Sequence, residues 1–227
     1  MKNIICLFLV LIPASLVWAE EIPKSAKNCH CFQNRVYDPE RKFVADNYLL
    51  TTSFNSFIAA NFHISKSQIV MMKMKGGVAP DDLLIGLFVA RAGDVELNSL
   101  LAILGDGGSW KQILASQRFH NEGANGHVFK LITDALDTQG KAVEVVTDQL
   151  LKEFFKITDV DIAGLRKEGA NGREITLVYL LERYGKREKA AADILAMYTK
   201  EHKSWAEIAH FFGLSPKGTG KLLLGPV

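Results

Sequence analysis

Two thiols and an imidazole stand together in the run Cys29-His30-Cys31, and these are the residues of the sequence best suited to chemistry. Thiolate and imidazole groups bind zinc or cuprous copper, although one tripeptide cannot complete a tetrahedral site by itself. The spacing differs from the Cys-x-x-Cys-His run of covalent haem attachment and from the Cys-x-x-Cys run of thioredoxin-like proteins. Three interpretations stay open: a disulfide or inert segment, a zinc or copper site, and a thiol–disulfide redox pair.

The other side chains do not predict a catalytic centre. Met71, Met72 and Met74 could bind a soft metal, but we expect them to fill a hydrophobic core, which is the commoner role of clustered methionines. The scattered histidines show no metal spacing: His63, His120, His127, His202 and His210. Residues 105–108 form a glycine-rich run that lacks the lysine of a phosphate-binding loop. The sequence therefore predicts no catalytic residue and no cofactor beyond the zinc or copper alternative.

Residues 1–19 are typical of a secretory signal peptide, because Lys2 precedes the apolar run 4–12 and Val17-Trp18-Ala19 supplies a cleavage site. The apolar run is too short to span a bilayer comfortably, so we expect no stable membrane span after cleavage. The sequence thus predicts a periplasmic or secreted protein. Its net charge of +2 favours neither nucleic acid nor an anionic membrane as a partner. Cleavage leaves only Cys29 and Cys31, too few for a disulfide framework.

Apolar spacing, caps and glycines predict an all-α multi-helix bundle that follows the signal peptide and a flexible leader over residues 20–45. Periodicity predicts helices over 46–62, 80–92, 94–104, 127–136, 142–155, 174–184 and 188–201. Caps predict further helix starts at Ser65, Ser109, Thr158 and Ser204. Glycines are expected to end helices or to form tight turns at Gly76, Gly93, Gly169, Gly185 and Gly213.

The second half of the chain repeats the spacing of the first, which predicts an internal duplication. Phe62, Ile64, Ile69 and Gly76 correspond to Phe155, Ile157, Ile162 and Gly169. Such helix stops and core positions are what a repeated helical unit must keep. Trp110 and Trp205, each after a capping serine, are expected to anchor the core. We expect two related units of about 90 residues, over 46–118 and 141–227, joined by a connection over 119–140.

Residues 204–216 also resemble the helix-turn-helix of DNA-binding regulators, because Ala209 comes four residues before Gly213. That resemblance would make Lys217 and Lys221 the residues that face DNA. Two glycines between these lysines would break the recognition helix, and the signal peptide directs the protein away from DNA. Nucleic-acid binding is therefore the least favoured function.

A tryptophan, an Ile-Ala pair and a Gly-Leu pair close the second unit, as Trp205, Ile208-Ala209 and Gly213-Leu214. Together with the leader Cys29-His30-Cys31-Phe32, this segment resembles a group of uncharacterised exported α-helical bacterial proteins. The resemblance implies a helical fold and no particular activity. The sequence favours a non-enzymatic protein that binds another envelope or extracellular protein, with a metal or redox role of the Cys-His-Cys tripeptide as the alternative.

Overall fold

A computed structural model describes residues 32, 34–119, 124–138 and 140–223 of the protein. These residues form twelve α-helices and no strand, which confirms the all-α prediction. The first half contains α1 (Asp46–Phe62), α2 (Lys66–Met74), α3 (Pro80–Gly93), α4 (Leu97–Gly105), α5 (Trp110–Leu114) and a 3-10 turn (Gln117–Phe119). The second contains α6 (Ala124–Ala135), α7 (Lys141–Phe155), α8 (Asp159–Lys167), α9 (Gly172–Tyr184), α10 (Ala191–Thr199), α11 (Trp205–Phe211) and α12 (Pro216–Thr219). Within the described part of the chain, no helix combines the length and apolar character needed to cross a bilayer.

Several helices start where local caps predict. The Ser65 hydroxyl accepts the backbone N–H of Gln68 at 3.1 Å, and the Gln68 side chain accepts the N–H of Ser65 at 2.8 Å, so the predicted capping box is formed. Thr158 and Asp161 form the same arrangement before α8, and a serine–glutamine pair forms it before α5. Each box supplies partners to N–H groups that a helix start otherwise leaves without acceptors, so a few neighbouring residues set these starts.

The predicted capping box of Ser204 and Glu207 at the start of α11 is only half formed. Ser204 accepts the N–H of Glu207 at 3.0 Å, but within the described structure the Glu207 side chain returns no bond. The carboxylate of Asp46 instead accepts the N–H groups of Trp205 and Ala206 at 3.0 and 2.9 Å. The first residue of α1 therefore caps α11 and ties the start of the helical body to its end.

Helix α10 begins at Ala191, later than the predicted start at residue 188. The reason is a tertiary contact that the local pattern does not contain. The N–H of Lys186 donates to the Phe212 carbonyl at 2.9 Å, which holds the segment after α9 against the end of α11. The Glu182 carboxylate then accepts the N–H of Ala191 at 2.9 Å and caps the delayed helix.

One hydrophobic core contains residues from both halves of the chain. The rings of Phe57 in α1 and Phe155 in α7 stack with their centroids 5.8 Å apart and their planes at 4°. Helix α1 packs on α9 and α3 packs on α7, so helices of the first half contact helices of the second. Trp110 and Trp205 are both buried in this shared core. The two halves thus form one body.

Corresponding features recur in the two halves. Helices α2 and α8 both have 9 residues, and so do α4 and α10. Helices α1 and α7 both end at a C-cap residue in the left-handed conformation. Arg91 of α3 lies 4.9 Å from the Phe62 ring centroid, and Arg183 of α9 lies 5.4 Å from that of Phe155. These recurrences support the predicted duplication, which stays a prediction.

The five predicted glycines do two different things. Gly169 and Gly213 have φ angles of 92° and 74°, a region in which a side chain is strained. A Cβ would come within 2.4–2.7 Å of a neighbouring atom at the other three, Gly76, Gly93 and Gly185. Gly93 is still helical, and the left-handed residue that ends α3 is Asp94, with φ 50°. The role of Gly93 is therefore to make room for packing and not to form the turn.

Candidate functional site

The predicted metal or redox residues, Cys29, His30 and Cys31, lie outside the described residues. Within the described residues, no three His, Cys, Asp or Glu side chains are grouped as metal ligands would be. The zinc or copper alternative therefore stays a prediction. Phe32, which follows the tripeptide, is described: its ring meets the Tyr48 ring of α1 edge-on, with centroids 5.5 Å apart. The leader thus contacts α1 directly after the tripeptide.

The C-terminal segment does not present a recognition helix. Helix α12, which carries Lys217, has 4 residues, and its Thr219 is fully buried. Gly220 packs so closely on α1 that a Cβ there would lie 2.6 Å from Thr52. A recognition helix must lie exposed along the DNA groove. Here the segment around Lys217 and Lys221 docks on α1 instead.

The expectation that the methionines of α2 fill the core is wrong for two of them. Met71 and Met74 are 44% and 43% exposed, whereas Met72 packs partly buried against the core. The reason is that α2 buries only a narrow face, with Ile69 as its fully buried residue. Met74 borders a pocket, and Met71 does not.

Helices α1 and α2 and the start of α9 enclose a pocket of about 570 Å³, and the leader contributes to its wall. This volume is typical of small-molecule sites. Four of the residues that line the pocket are cationic and none is acidic. The lining residues are Phe32, Arg35, Tyr48, Thr51, Thr52, Phe54, Asn55, Lys66, Val70, Lys73, Met74, Gly77, Ala79, Pro80 and Arg173.

Lys66, the first residue of α2, links α1 to the C-terminal turn. Its ammonium group donates to the Thr52 hydroxyl and, at 3.4 Å, to the Gly220 carbonyl. The Ser56 hydroxyl donates to the same carbonyl. Because the partners of Lys66 are neutral, they do not replace its lost hydration, and burial lowers the pKa of Lys66 to about 8.

Lys73 lies two turns further along the same face of α2. Its ammonium group donates to the side-chain oxygen of Asn55 at 2.9 Å. Burial and the positive charge of Arg173 lower the pKa of Lys73, the Asp81 carboxylate opposes both effects, and the resulting pKa is about 8. The Arg173 guanidinium lies 5.8 Å from the Phe54 ring centroid. Two like charges from distant parts of the chain therefore share one end of the pocket.

Arg35 adds a fourth positive charge. It donates to the Phe32 carbonyl at 3.0 Å, and its guanidinium lies 5.6 Å from the Tyr48 ring centroid. In the described part of the chain, no carboxylate lies within 4.0 Å of any of the four cationic groups of the pocket. Within the described residues, the pocket therefore holds positive charge that no ion pair neutralises, and the Asp81 carboxylate acts on Lys73 only from a greater distance.

The contact between Lys73 and Asn55 has a counterpart in the second half of the chain, in which a carboxylate neutralises the positive charge. Asn55 and Lys73 are separated by 18 residues, as are Asp148 and Arg166, and both pairs join the equivalent helices of the predicted duplication. Arg166 donates to both carboxylate oxygens of Asp148, at 3.1 and 2.5 Å. A neutral amide thus stands in the pocket where the second half has a carboxylate.

Sequence reasoning missed this pocket, although a partial signal was present. Lys66 and Lys73 lie on one face of α2 with Val70 between them, and no acidic residue lies three or four positions from either lysine. Exposed lysines on helices are often paired with acids at that spacing, so unpaired ones are a reason to look for another partner. The position of Arg173 could not be inferred, since it comes from the other half of the chain.

Asp46 is a further half-buried ionisable group, and its role is structural. Burial raises the pKa of Asp46, the N–H groups of Ala206 and Trp205 oppose that rise, the Glu207 carboxylate adds to it, and the resulting pKa is about 6. The carboxylate is fully engaged as the cap of α11, so it is not available to a ligand.

We expect Asp46→Ala to lower the free energy of unfolding by about 2 kcal/mol, because two N–H groups lose their acceptor. A carboxyl group whose pKa is raised by folding contributes stability that is present at low pH and is lost as pH rises through about 6. The cost of the substitution should therefore be larger near pH 4 than near pH 8. Urea denaturation at both pH values measures it, with Asn47→Ala as the exposed control on α1. If Asp46→Ala lowered the free energy of unfolding equally at about pH 4 and about pH 8, the raised pKa of Asp46 would be contradicted.

The charges of the pocket determine what it can bind. Ammonium and guanidinium groups bind carboxylate, sulfate and phosphate oxygens through charge-assisted hydrogen bonds. Aromatic and aliphatic side chains beside them can contact the rest of an organic ligand. Comparison of the chain with protein-family models, curated proteins and solved structures found no match, so these residues themselves carry the functional argument.

Proposed function

We propose that this chain is an exported α-helical protein that acts by binding a small anionic ligand in the pocket between α1, α2 and α9. The observation that carries the proposal is a group of cationic side chains that form no ion pair with any described residue: Lys66, Lys73 and Arg173. Like charges held together in a half-buried site cost free energy, and a bound anion removes that cost. The proposed ligand is thus a small anion, and the envelope or extracellular protein that the sequence favours as a partner stays a prediction.

The proposed site of action is the periplasm or the outside of the cell. Support for export comes from the N-terminal signal peptide pattern of residues 1–19. A binding role also matches the absence of catalytic motifs in the sequence.

We expect sulfate and citrate at millimolar concentration to raise the melting temperature more than chloride at equal ionic strength. A ligand at ten times its Kd stabilises the folded state by about 1.4 kcal/mol, which corresponds to a rise of about 4 °C for a chain of this size. Differential scanning fluorimetry at low ionic strength measures the shift, since salt screens such interactions.

The sharpest variant is Asn55→Asp, which gives Lys73 the internal counterion that Arg166 has in the second half. We expect the ligand-free variant to be at least as stable as the wild type and to lose most of the anion-induced shift. Asn47→Asp is the matched control, because it makes the same change in charge at an exposed position of α1. It should keep the full shift.

Two results would overturn the proposed function. One is a melting temperature that no anion raises above the chloride value. The other is an Asn55→Asp variant that keeps the wild-type shift, because the anion would then bind somewhere other than beside Lys73. Stability of the ligand-free variant is measured in the same scan, so misfolding cannot imitate a loss of binding.

A further inference from the structure

The pocket is much larger than a simple anion requires. Its volume of about 570 Å³ lies within the range of sites that enclose organic ligands of many heavy atoms. Sulfate or acetate, with only a few heavy atoms, would neutralise the charges and leave most of the pocket to water. The shape therefore points to a ligand with a second, larger part.

Apolar side chains line the space beside the charges. Val70 and Met74 lie four residues apart on α2 and share the face that carries Lys66 and Lys73. Phe54, Tyr48 and Phe32 add aromatic surface to the wall. Met74 is 43% exposed, so a ligand that covers it removes apolar surface from water.

The charged end retains unused hydrogen-bond donors. An ammonium group has three donors and a guanidinium group has five. Within the described residues, Lys73 donates one side-chain bond, to Asn55, and the Arg173 guanidinium donates none. A carboxylate or phosphate group placed between them could accept several bonds, two of them from the planar guanidinium.

We propose that the ligand is an amphiphilic acid: a carboxylate or phosphate head bound near Lys73 and Arg173, with an apolar tail along Val70, Met74 and the aromatic wall. This inference rests on the proposed function, because it specifies which anion the same pocket takes. It commits to a small amphiphile and not to a protein partner.

Isothermal titration calorimetry with the full-length mature protein tests the inference with five probes: acetate, decanoate, inorganic phosphate, decyl phosphate and decanol. Decanoate and decyl phosphate are used below their micelle concentrations, and decanol below its solubility limit. Affinity should rise by about fourfold for each tail methylene that becomes buried, until the pocket is filled. Decanoate should therefore bind at least 100-fold more tightly than acetate, and more tightly than decanol. The comparison of decanoate with decyl phosphate identifies the preferred head.

Matched methionine variants locate the tail. Met74→Gln should weaken decanoate binding several-fold and leave phosphate binding unchanged. Met71→Gln should change neither, since Met71 is equally exposed on the same helix but does not line the pocket. Both variants alter exposed residues, so both are expected to fold.

The outcomes separate this inference from the proposed function. If acetate and phosphate bind as tightly as their decyl counterparts, the pocket is a simple anion site and the amphiphile inference fails alone. If decanol binds as tightly as decanoate, the charges are not used and both fail. Equal effects of Met71→Gln and Met74→Gln would place the tail outside this pocket and overturn the inference.

Discussion

Replacing Trp205 by alanine is expected to lower the free energy of unfolding by about 3–5 kcal/mol. Trp205 is fully buried and stacks on Tyr198 with ring centroids 4.5 Å apart. It also begins α11, whose first N–H groups Asp46 caps, so the cavity would open where the two ends of the helical body meet. A typical protein has a total stability of roughly 5–15 kcal/mol, so the loss should be visible as a large fall in the urea midpoint.

Trp205→Phe is the informative control. The Trp205 indole N–H is buried and has no hydrogen-bond partner in the described structure, so phenylalanine removes volume and part of the ring stack without breaking a bond. We expect it to cost about 1–2 kcal/mol, clearly less than alanine. Urea denaturation followed by helical circular dichroism measures all three proteins. An unchanged midpoint for Trp205→Ala would show that this tryptophan does not anchor the core.

The sequence predicts those parts of the fold that neighbouring residues determine. The capping pairs Ser65–Gln68 and Thr158–Asp161 lie within a single turn, so the helix starts that they set follow from short-range hydrogen bonds. Apolar spacing likewise predicts α7 closely, because its core residues recur at helical intervals. The bounds of α1 also match the prediction, although this helix is buried on nearly all sides, with every residue from Thr52 to Ala59 in the interior. The helical class was therefore predictable without any tertiary information.

Contacts between distant segments were not predictable. Asp46 caps a helix whose first residue is 159 positions away, and nothing near Asp46 indicates that pairing. Local reasoning instead predicted a capping box formed by Ser204 and Glu207. The pocket also depends on contacts between distant segments. Lys73 comes from α2 and Arg173 from α9, and the two residues come close together because both helices pack on α1. Charged residues such as Lys73 and Arg173, which have no partner nearby in the sequence, form a site only when the helices that carry them pack together.

Under the predicted duplication, the two lysines of the pocket belong to the first unit, while Arg173 comes from the second. Lys66 and Asp159 are the first residues of α2 and α8, so a basic residue in the first unit corresponds to an acidic one in the second. Asn55 similarly corresponds to Asp148, which neutralises Arg166. Arg166 is thus neutralised within the second unit, whereas Lys66 and Lys73 of the first unit form no ion pair within the described residues and remain available to a ligand. If the chain arose by duplication, specialisation of one copy would account for this difference.

Anion affinity is expected to fall with rising pH by about tenfold per unit above pH 8 for each lysine that pairs with the ligand. The pKa values of Lys66 and Lys73 are about 8 in the free protein, and a bound anion raises them. The complex therefore holds its protons more tightly than the free protein. Affinity is fully present below about pH 8 and is lost as pH rises through that value. Calorimetry with sulfate and decanoate between about pH 7 and 10 measures the slope, because both probes keep a constant charge there.

Substituting arginine for the two lysines separates their contribution to the pH dependence from that of the other ionisable groups around the pocket. Those groups are Arg35, Tyr48, Asp81 and Arg173. The double variant Lys66→Arg/Lys73→Arg keeps both charges over the whole range, since the guanidinium does not lose its proton under these conditions. Its affinity should be nearly independent of pH, whatever its value at pH 7. A wild-type profile as flat as that of the variant would mean that neither lysine contacts the anion. An equally steep fall in the variant would trace the pH dependence to another group. Only a slope confined to the lysine protein identifies Lys66 and Lys73 as the charges that bind the ligand.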